Sequence, residues 1–226
     1  MTHRPVRAVM TAAVTTVSLD TPFKALAAIM AEHGLNALAV LDSEGRIAGI
    51  VSESDLMRKE EYQDDGAGPR PPHSRHHRAQ AEGLTASHVM NSPAITISAE
   101  ASIVAAARAF DRAHVSHLVV TEADGALAGI VTPLDLLKVY LRTDGEIRGE
   151  ILDEVITNYL GCDPARAGVT VTDGIVTLRG EVEHKSMVPL AARMARSVDG
   201  VVDVVNHLAY AVDDTRLPTA AELDEA

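Results

Sequence analysis

Gly49-Ile50-Val51-Ser52-Glu53-Ser54-Asp55 and Gly129-Ile130-Val131-Thr132-Pro133-Leu134-Asp135 are two copies of one stretch, 80 residues apart. Each reads as the end of a buried strand running into the first turn of a helix, with a hydroxyl residue three places before an aspartate. The offset extends outward without a gap: residues 9–58 align on 89–138 with fifteen identities in fifty positions. Val9-Met10 meets Val89-Met90, Thr16 meets Thr96, Leu38 and Val40 meet Leu118 and Val120, and Gly45 meets Gly125. The chain carries an internal duplication.

Both copies share one rhythm. A β-branched stretch (14–17 and 94–97) reads as a strand. Asp20-Thr21-Pro22 reads as a hydroxyl cap with proline at the first helical position. Phe23, Leu26, Ile29 and Met30 then recur at helical spacing, and Gly34 is placed to end that helix. Ile103, Ala106, Ala107 and Phe110 fill the same face in the second copy. Strands at 37–41 and 46–51 follow, joined by Asp42-Ser43-Glu44-Gly45, a turn whose glycine can take a positive φ. The next helix starts at Ser52. Each unit is β-α-β-β-α, about fifty residues, too small to bury both helix faces alone; two copies packed sheet to sheet solve that.

After Lys138 the pattern changes. Ile147, Ile151, Leu152, Val155, Ile156, Tyr159 and Leu160 mark an amphipathic helix closed by Gly161. Residues 169–171 and 175–178 alternate in period two across Thr172-Asp173-Gly174, a hairpin signal. A helix over 186–197 and a strand over 201–205 complete an α-β-β-α-β unit. The expected class is α+β. Its divisions are 1–59 and 85–142 for the repeats, 60–84 for a polar linker, 143–212 for the third unit and 213–226 for a frayed acidic tail.

Composition narrows the function. Apolar residues make up 46% of the 226, with two Phe, four Tyr and no Trp, which suits helix-on-sheet packing and argues against base-stacking nucleic-acid modules. A net charge of −12 opposes binding to a phosphate backbone, so no nucleic-acid partner is expected. The single Cys162 excludes an internal disulfide framework. The first twenty residues hold no apolar run of signal-peptide length, and no segment approaches 18 consecutive apolar residues; the cytoplasm is the expected location. His73, His76 and His77 in the linker could ligate a metal, but no acid or thiol stands at ligand spacing beside them, and the polar-loop reading is preferred. No nucleophile with a paired base, no phosphate-loop glycines and no HExxH helix occur. The expectation is a protein without catalytic activity.

The doubled corner has two readings. Structurally, Ser52 with Asp55 and Thr132 with Asp135 form capping boxes worth about 1 kcal/mol each. Functionally, a helix start offers unpaired N–H groups and a positive dipole end to phosphate, the hydroxyl can reach phosphate or ribose, and the carboxylate can accept from a ribose diol. The preceding glycine permits close approach of a backbone or ligand ring. Arg58 and Lys138, at equivalent positions one turn on, could neutralise phosphate charge.

Residues 9–139 resemble a tandem pair of CBS (cystathionine-beta-synthase type) domains. The likeness rests on Val-Met-Thr/Asn before the first strand, Leu-x-Val, x-Gly-x-x-x-Gly-Ile-Val, and Ser/Thr-x-x-Asp-Leu at the corner. It implies a pseudo-two-fold module with two clefts for adenosine ligands such as AMP, ADP, ATP or S-adenosylmethionine, a homodimer, and no required cofactor. By resemblance, Asp55 and Asp135 hold ribose, Ser52 and Thr132 touch phosphate or ribose, and the backbone at Thr15, Thr16, Val17, Ile95, Thr96 and Ile97 lines the adenine. His117 could reach a phosphate, with a packed or solvent-facing role as the alternative. One departure stands out: a proline common in the family before the valine of the second strand is Ala39 here and Val119 in the second copy. Residues 144–212 resemble a BON domain, through Val-x-Val-x-Asp-Gly-Ile-Val-Thr-Leu-Arg-Gly-Glu-Val at 169–182 and Asp-Gly-Val-Val-Asp-Val-Val-Asn-His-Leu at 199–208. That likeness implies attachment to phospholipid or a protein. Eleven acids against six Lys and Arg over 144–212 favour protein. The leading expectation is a nucleotide-sensing module; the second is a ligand-free dimeric scaffold whose BON domain docks a partner or lipid.

Overall fold

The computed structural model describes residues 4–63, 84–163 and 167–215, and it is α+β. The chain forms two compact units, Arg4–Leu136 and Leu137–Ala226. The histidines at 73, 76 and 77 lie outside the described residues.

In the first unit, repeat one runs β1 (Thr16–Ser18), α1 (Phe23–His33), β2 (Ala37–Leu41), β3 (Ile47–Ser52) and α2 (Glu53–Gln63). A short helix α3 (Ala86–Val89) precedes repeat two: β4 (Thr96–Ser98), α4 (Ile103–Ala113), β5 (Leu118–Thr121), β6 (Leu127–Val131) and α5 (Pro133–Leu137). Each sheet has the order edge, centre, edge, with the first strand parallel and the third antiparallel to the middle one. The 80-residue offset survives in the register: Leu38 faces Val51 and Leu118 faces Val131, and both sheets shift register after Val40 and Val120.

Period-two alternation assigns the two faces of β2. Leu38 and Val40 join Val17, Leu26, Met30, Val51 and Leu56 under the helices. Ala37, Ala39 and Ile50 meet Val119 and Ile130 in a separate cluster, where the two sheets pack on each other. Ala39 and Val119, at the positions where proline was noted as absent, are fully buried in that contact. Val119 N–H donates to the Ile95 carbonyl, a bond that proline could not make.

The repeats also exchange their leading segments. Ala86 and Val89 of α3 sit in the core of repeat one, and the Ala86 and Ser87 N–H groups donate to Thr21 and Leu19. Reciprocally, the 3-10 turn Val6–Ala8 docks on repeat two through Val6 N–H to Ala101 and Arg7 N–H to Ala99. Arg7 adds ion pairs to Glu100 and Glu122.

Several expectations are corrected in detail. Pro22 is the N-cap of α1, not its first residue, and Thr21 does not cap the helix; its Oγ1 accepts from Ser18 N–H and closes the preceding turn. Gly34 does end α1, at φ 62, while His114 takes the same left-handed position after α4. β1 and β4 start at Thr16 and Thr96, two residues later than anticipated.

The second unit opens with the 3-10 turn Lys138–Leu141. Helix α6 (Asp144–Glu150) continues as a π-helix over Ile151–Tyr159, followed by β7 (Ala167–Thr172), β8 (Ile175–His184), α7 (Met187–Arg196) and β9 (Asp203–Val212). Its sheet order is β7-β8-β9, antiparallel then parallel. Asp173 and Gly174 both take positive φ, as a two-residue type I′ hairpin requires. Ile147, Ile151, Val155, Val176, Leu178 and Ala195 lie in one core. The last strand is longer than expected and starts later, and the first residues after it are tied down: Asp213 binds Lys185 and Asp214 binds Ser186.

Candidate functional site

The corner of repeat one ends β3 and starts α2. Asp55 is 1% exposed and Ser52 9%. Asp55 Oδ2 accepts from the Ser52 N–H at 2.8 Å and from the Ser52 hydroxyl at 2.5 Å. The corner of repeat two is alike: Asp135 Oδ2 accepts from the Thr132 N–H at 2.8 Å and hydroxyl at 2.7 Å, and the Asp135 N–H returns to Thr132 Oγ1 at 3.3 Å. That is a complete capping box. In repeat one the Ser52 hydroxyl also bonds the Ser54 hydroxyl at 2.9 Å.

The corners differ in what crosses from the other repeat. Asn91 Nδ2 donates to both Asp55 oxygens at 2.9 Å, and Arg58 Nη1 donates to Asp55 Oδ1 at 2.7 Å. Thr11 is the sequence equivalent of Asn91. The backbone at Asn91 pairs with Ile50, and the backbone at Thr11 pairs with Ile130. These crossings explain the paired glycines: a Cβ on Gly49 would stand 2.7 Å from the Asn91 carbonyl, and one on Gly129 would stand 2.7 Å from that of Thr11. The close approach is made by the other repeat's backbone.

Two clefts follow from this exchange. The first, about 200 Å³, is lined by Ser52, Asp55 and Arg58 of repeat one and by Asn91, Pro93, Ile95 and residues 114–117 of repeat two. The second, about 210 Å³, is lined by Thr132 and Asp135 of repeat two, by Thr11, Val14, Thr15 and residues 34–37 of repeat one, and again by His117. His117 is half-buried, and its Nδ1 lies 2.9 Å from the Ser116 hydroxyl. Burial pushes its pKa below the ordinary histidine value, against the opposing pull of Asp55 and Asp135.

The structure thus gathers Ser52, Asp55, Arg58, Ile95 and His117 around one cleft and Thr15, Thr132, Asp135 and His117 around the other. Thr16, Val17, Thr96 and Ile97 line neither. Thr16 and Thr96 point to solvent, and the Val17 side chain belongs to the core of repeat one. Lys138 falls in the second unit. Sequence reasoning missed Asn91 and Ser116. The polar residue that follows Val-Met in both copies was the available sign for Asn91. Among the described residues no group of three His, Cys, Asp or Glu is placed to hold a metal ion, and no helix is long and apolar enough to cross a membrane.

Comparison with known proteins agrees with this architecture. Residues 6–62 and 86–142 each match the CBS domain, and residues 143–212 match the BON domain. An uncharacterized protein of Methanocaldococcus jannaschii is 29% identical over 140 residues, which is 61% of this chain and 32% of that relative; the chain spans about a third of its length. The crystal structure of CBSX2 in complex with AMP superimposes with a TM-score of 0.52 at 21% identity, over 61% of this chain and 96% of that one. The CBS domain pair of protein MJ0100, in complex with 5′-methylthioadenosine and S-adenosyl-L-methionine, gives 0.50 at 17% identity, over 61% and 96%. With the duplicated corner, the exchanged segments and the twin clefts, the chain belongs to the CBS domain family, as a tandem pair followed by a BON domain.

Proposed function

We propose that the CBS pair is a regulatory module that binds an adenosine nucleotide (AMP, ADP, ATP or S-adenosylmethionine) in the clefts between the repeats, and that occupancy is passed to the BON domain or to a partner. The observation that carries this reading is the doubled hydroxyl–aspartate corner, each copy facing a cleft completed by the other repeat. Asp55 and Asp135 are the ribose acceptors, Ser52 and Thr132 the groups for ribose or phosphate, and Arg58 the phosphate cation of the Asp55 cleft. Thr15 in the Asp135 cleft and Ile95 in the Asp55 cleft flank the base. Structures of the same fold that hold AMP, or 5′-methylthioadenosine with S-adenosylmethionine, make these ligands the first to test. The role is binding, not catalysis, and the setting is the cytoplasm.

A ligand that binds only the folded state adds about 2.7 kcal/mol at 100 times its Kd, which is roughly 5–11 °C in Tm for a chain of this size. Thermal shift with the four ligands is the test. No shift with any of them at millimolar concentration refutes the sensor. With a shift in hand, Asp55→Ala and Asp135→Ala should each remove one site in calorimetric titration.

The second reading, a ligand-free dimeric scaffold, is favoured by the saturation of Asp55, which already accepts five hydrogen bonds. Its dimer face is the groove of Phe23, Ala27, Met30, Leu35, Leu56 and Met57 between α1 and α2. Its docking surface is the outer face of the BON sheet, where Ile175 and Val205 are exposed, with protein preferred over phospholipid as the partner. Sedimentation of Met57→Glu tests the dimer: an unchanged mass removes that face from it.

A further inference from the structure

The two clefts share one residue. His117 lines both, whereas its equivalent in repeat one is Ala37, which has no polar side chain to offer. One imidazole therefore serves two sites. The Ser116 hydroxyl at 2.9 Å engages Nδ1, so whichever tautomer is present, only Nε2 remains for a ligand. The ring is half-buried at the start of β5, directly before the fully buried Leu118, and its one remaining nitrogen can be turned to one cleft or the other but not to both at once. The carboxylates on either side face it across the clefts, with Asp55 at the back of one and Asp135 at the back of the other.

We propose that ligand bound in one cleft lowers the affinity of the other by taking the single available nitrogen of His117, so that the two sites of one chain are negatively coupled. This rests on the adenosine-binding reading above. A hydrogen bond from Nε2 to a ribose or phosphate oxygen in the Asp135 cleft turns the ring edge toward that side and leaves the Asp55 cleft without a polar side chain at the same place. In the Asp55 cleft a ribose reaching the carboxylate must also replace the Asn91 amide. Burial disfavours the imidazolium at neutral pH, so the shared group is a single neutral donor or acceptor, not a diffuse positive charge that both ligands could use at once.

The test is a cycle of calorimetric titrations with AMP on the full chain. Ala13 lines the Asp135 cleft and not the Asp55 cleft, and is exposed, so Ala13→Glu blocks the Asp135 cleft with bulk and negative charge. In the wild type the second AMP should bind at least about 5-fold more weakly than the one AMP bound by A13E, a coupling at the lower end of allosteric linkages. In the His117→Ala background the same ratio should fall by about the same 5-fold factor. An equal ratio in both backgrounds overturns the coupling while leaving the adenosine sites intact, and so does tighter binding of the second AMP. Absence of binding to the wild type by AMP and equally by ADP, ATP and S-adenosylmethionine overturns the adenosine reading and the coupling with it. His117→Gln, which retains one reaching polar group, should restore part of the ratio if the group and not its volume is responsible.

Discussion

Replacing Gly49 with alanine places a methyl where the opposite repeat already stands. The new Cβ lies 2.7 Å from the Asn91 carbonyl oxygen and 2.7 Å from Met90 Sδ. The sulfur ends a flexible side chain and can turn away. The carbonyl cannot, because Asn91 and Ile50 exchange backbone bonds of 2.8 and 3.1 Å. Relief requires the crossing segment to move outward and stretch that pair. Overpacking of this kind costs about 1–3 kcal/mol. At roughly 2–4 °C per kcal/mol for a chain of this length, the transition of the Arg4–Leu136 unit should fall by about 2–12 °C. Gly129→Ala meets the Thr11 carbonyl at the same 2.7 Å and should lose a similar amount. Gly45→Ala is the control: nothing lies within 4 Å of its Cβ, but its φ is 77°, so it carries only a local strain of about 1–2 kcal/mol. The variants separate on binding. Gly49→Ala shifts the segment that holds Asn91 against Asp55, so AMP titration should show the Asp55 cleft altered and the Asp135 cleft retained, whereas Gly45→Ala should leave both unchanged. Calorimetric unfolding that places Gly49→Ala at the wild-type Tm would refute the close crossing, and with it the account of why glycine stands there.

Further outcomes follow from local geometry. Thr143→Ala removes the cap of α6, where Thr143 Oγ1 accepts from Glu146 N–H and donates to its carboxylate; about 1 kcal/mol should be lost, or roughly 4–8 °C from the transition of the second unit, and an unchanged far-UV melt would deny the cap its role. Lys185 and the Thr215 hydroxyl hold the Asp213 carboxyl down to about 2. Because its folded value is depressed, the stability it contributes is present above the unfolded carboxylate range and is lost as pH falls toward 2; Lys185→Met should raise the Asp213 value measured by carboxyl NMR, and an unmoved titration would remove the ion pair. His117 is also depressed, by burial, so the unfolded chain takes up its proton first and stability should decline as pH falls below about 6.5; His117→Gln should flatten that slope in denaturant titrations between pH 5 and 7, and an undiminished slope would place the proton uptake elsewhere.

The strands and helices of both repeats were legible because each shows its own period over several residues. Leu38 and Val40 alternate with Ala37 and Ala39, and Phe23, Leu26 and Met30 recur at helical spacing. The duplication then let each copy check the other. What stayed hidden was either too short or too remote. The turn at Val6–Ala8 and helix α3 span three and four residues, which is less than a period can reveal, and each docks on the repeat it does not precede. Thr21 misled because its hydroxyl had two local partners and took the turn, the competition that makes hydroxyl residues poor markers of a single cap position. β9 was cut short at 205 because Asn206 occupies an inward position between the buried Val204 and Leu208. Asn206 is accommodated there by donating to the Val188 carbonyl and accepting from Leu208 N–H. The Asn91 bonds to Asp55 span 36 residues, a pairing created by the exchange of segments and by no local pattern.

That exchange changes what the doubled corner means. Had each repeat closed on itself, Ser52 with Asp55 and Thr132 with Asp135 would be two independent caps, each worth about 1 kcal/mol to its own helix. In the folded chain, atoms from both repeats meet at Asp55, since the carboxylate that caps α2 also receives the amide of Asn91. The same Asn91 lies in the segment that pairs with Ile50 and rests on Gly49. A ligand diol can reach Asp55 only by replacing bonds that also join the repeats. Hydrogen bonds to a charged group are worth about 1.5–3 kcal/mol, so a ligand that takes the place of Asn91 shifts the repeat–repeat joint by an energy of the same order as the binding itself. The Asp135 corner lacks this arrangement, because Thr11, whose side chain is shorter and carries no amide, stands where Asn91 does in the other copy. The duplication supplied two equal caps, and the differences at 11/91 and 37/117 made their surroundings unequal. The inequality lies in residues that contact the other repeat, which is where occupancy can alter how the repeats are held together.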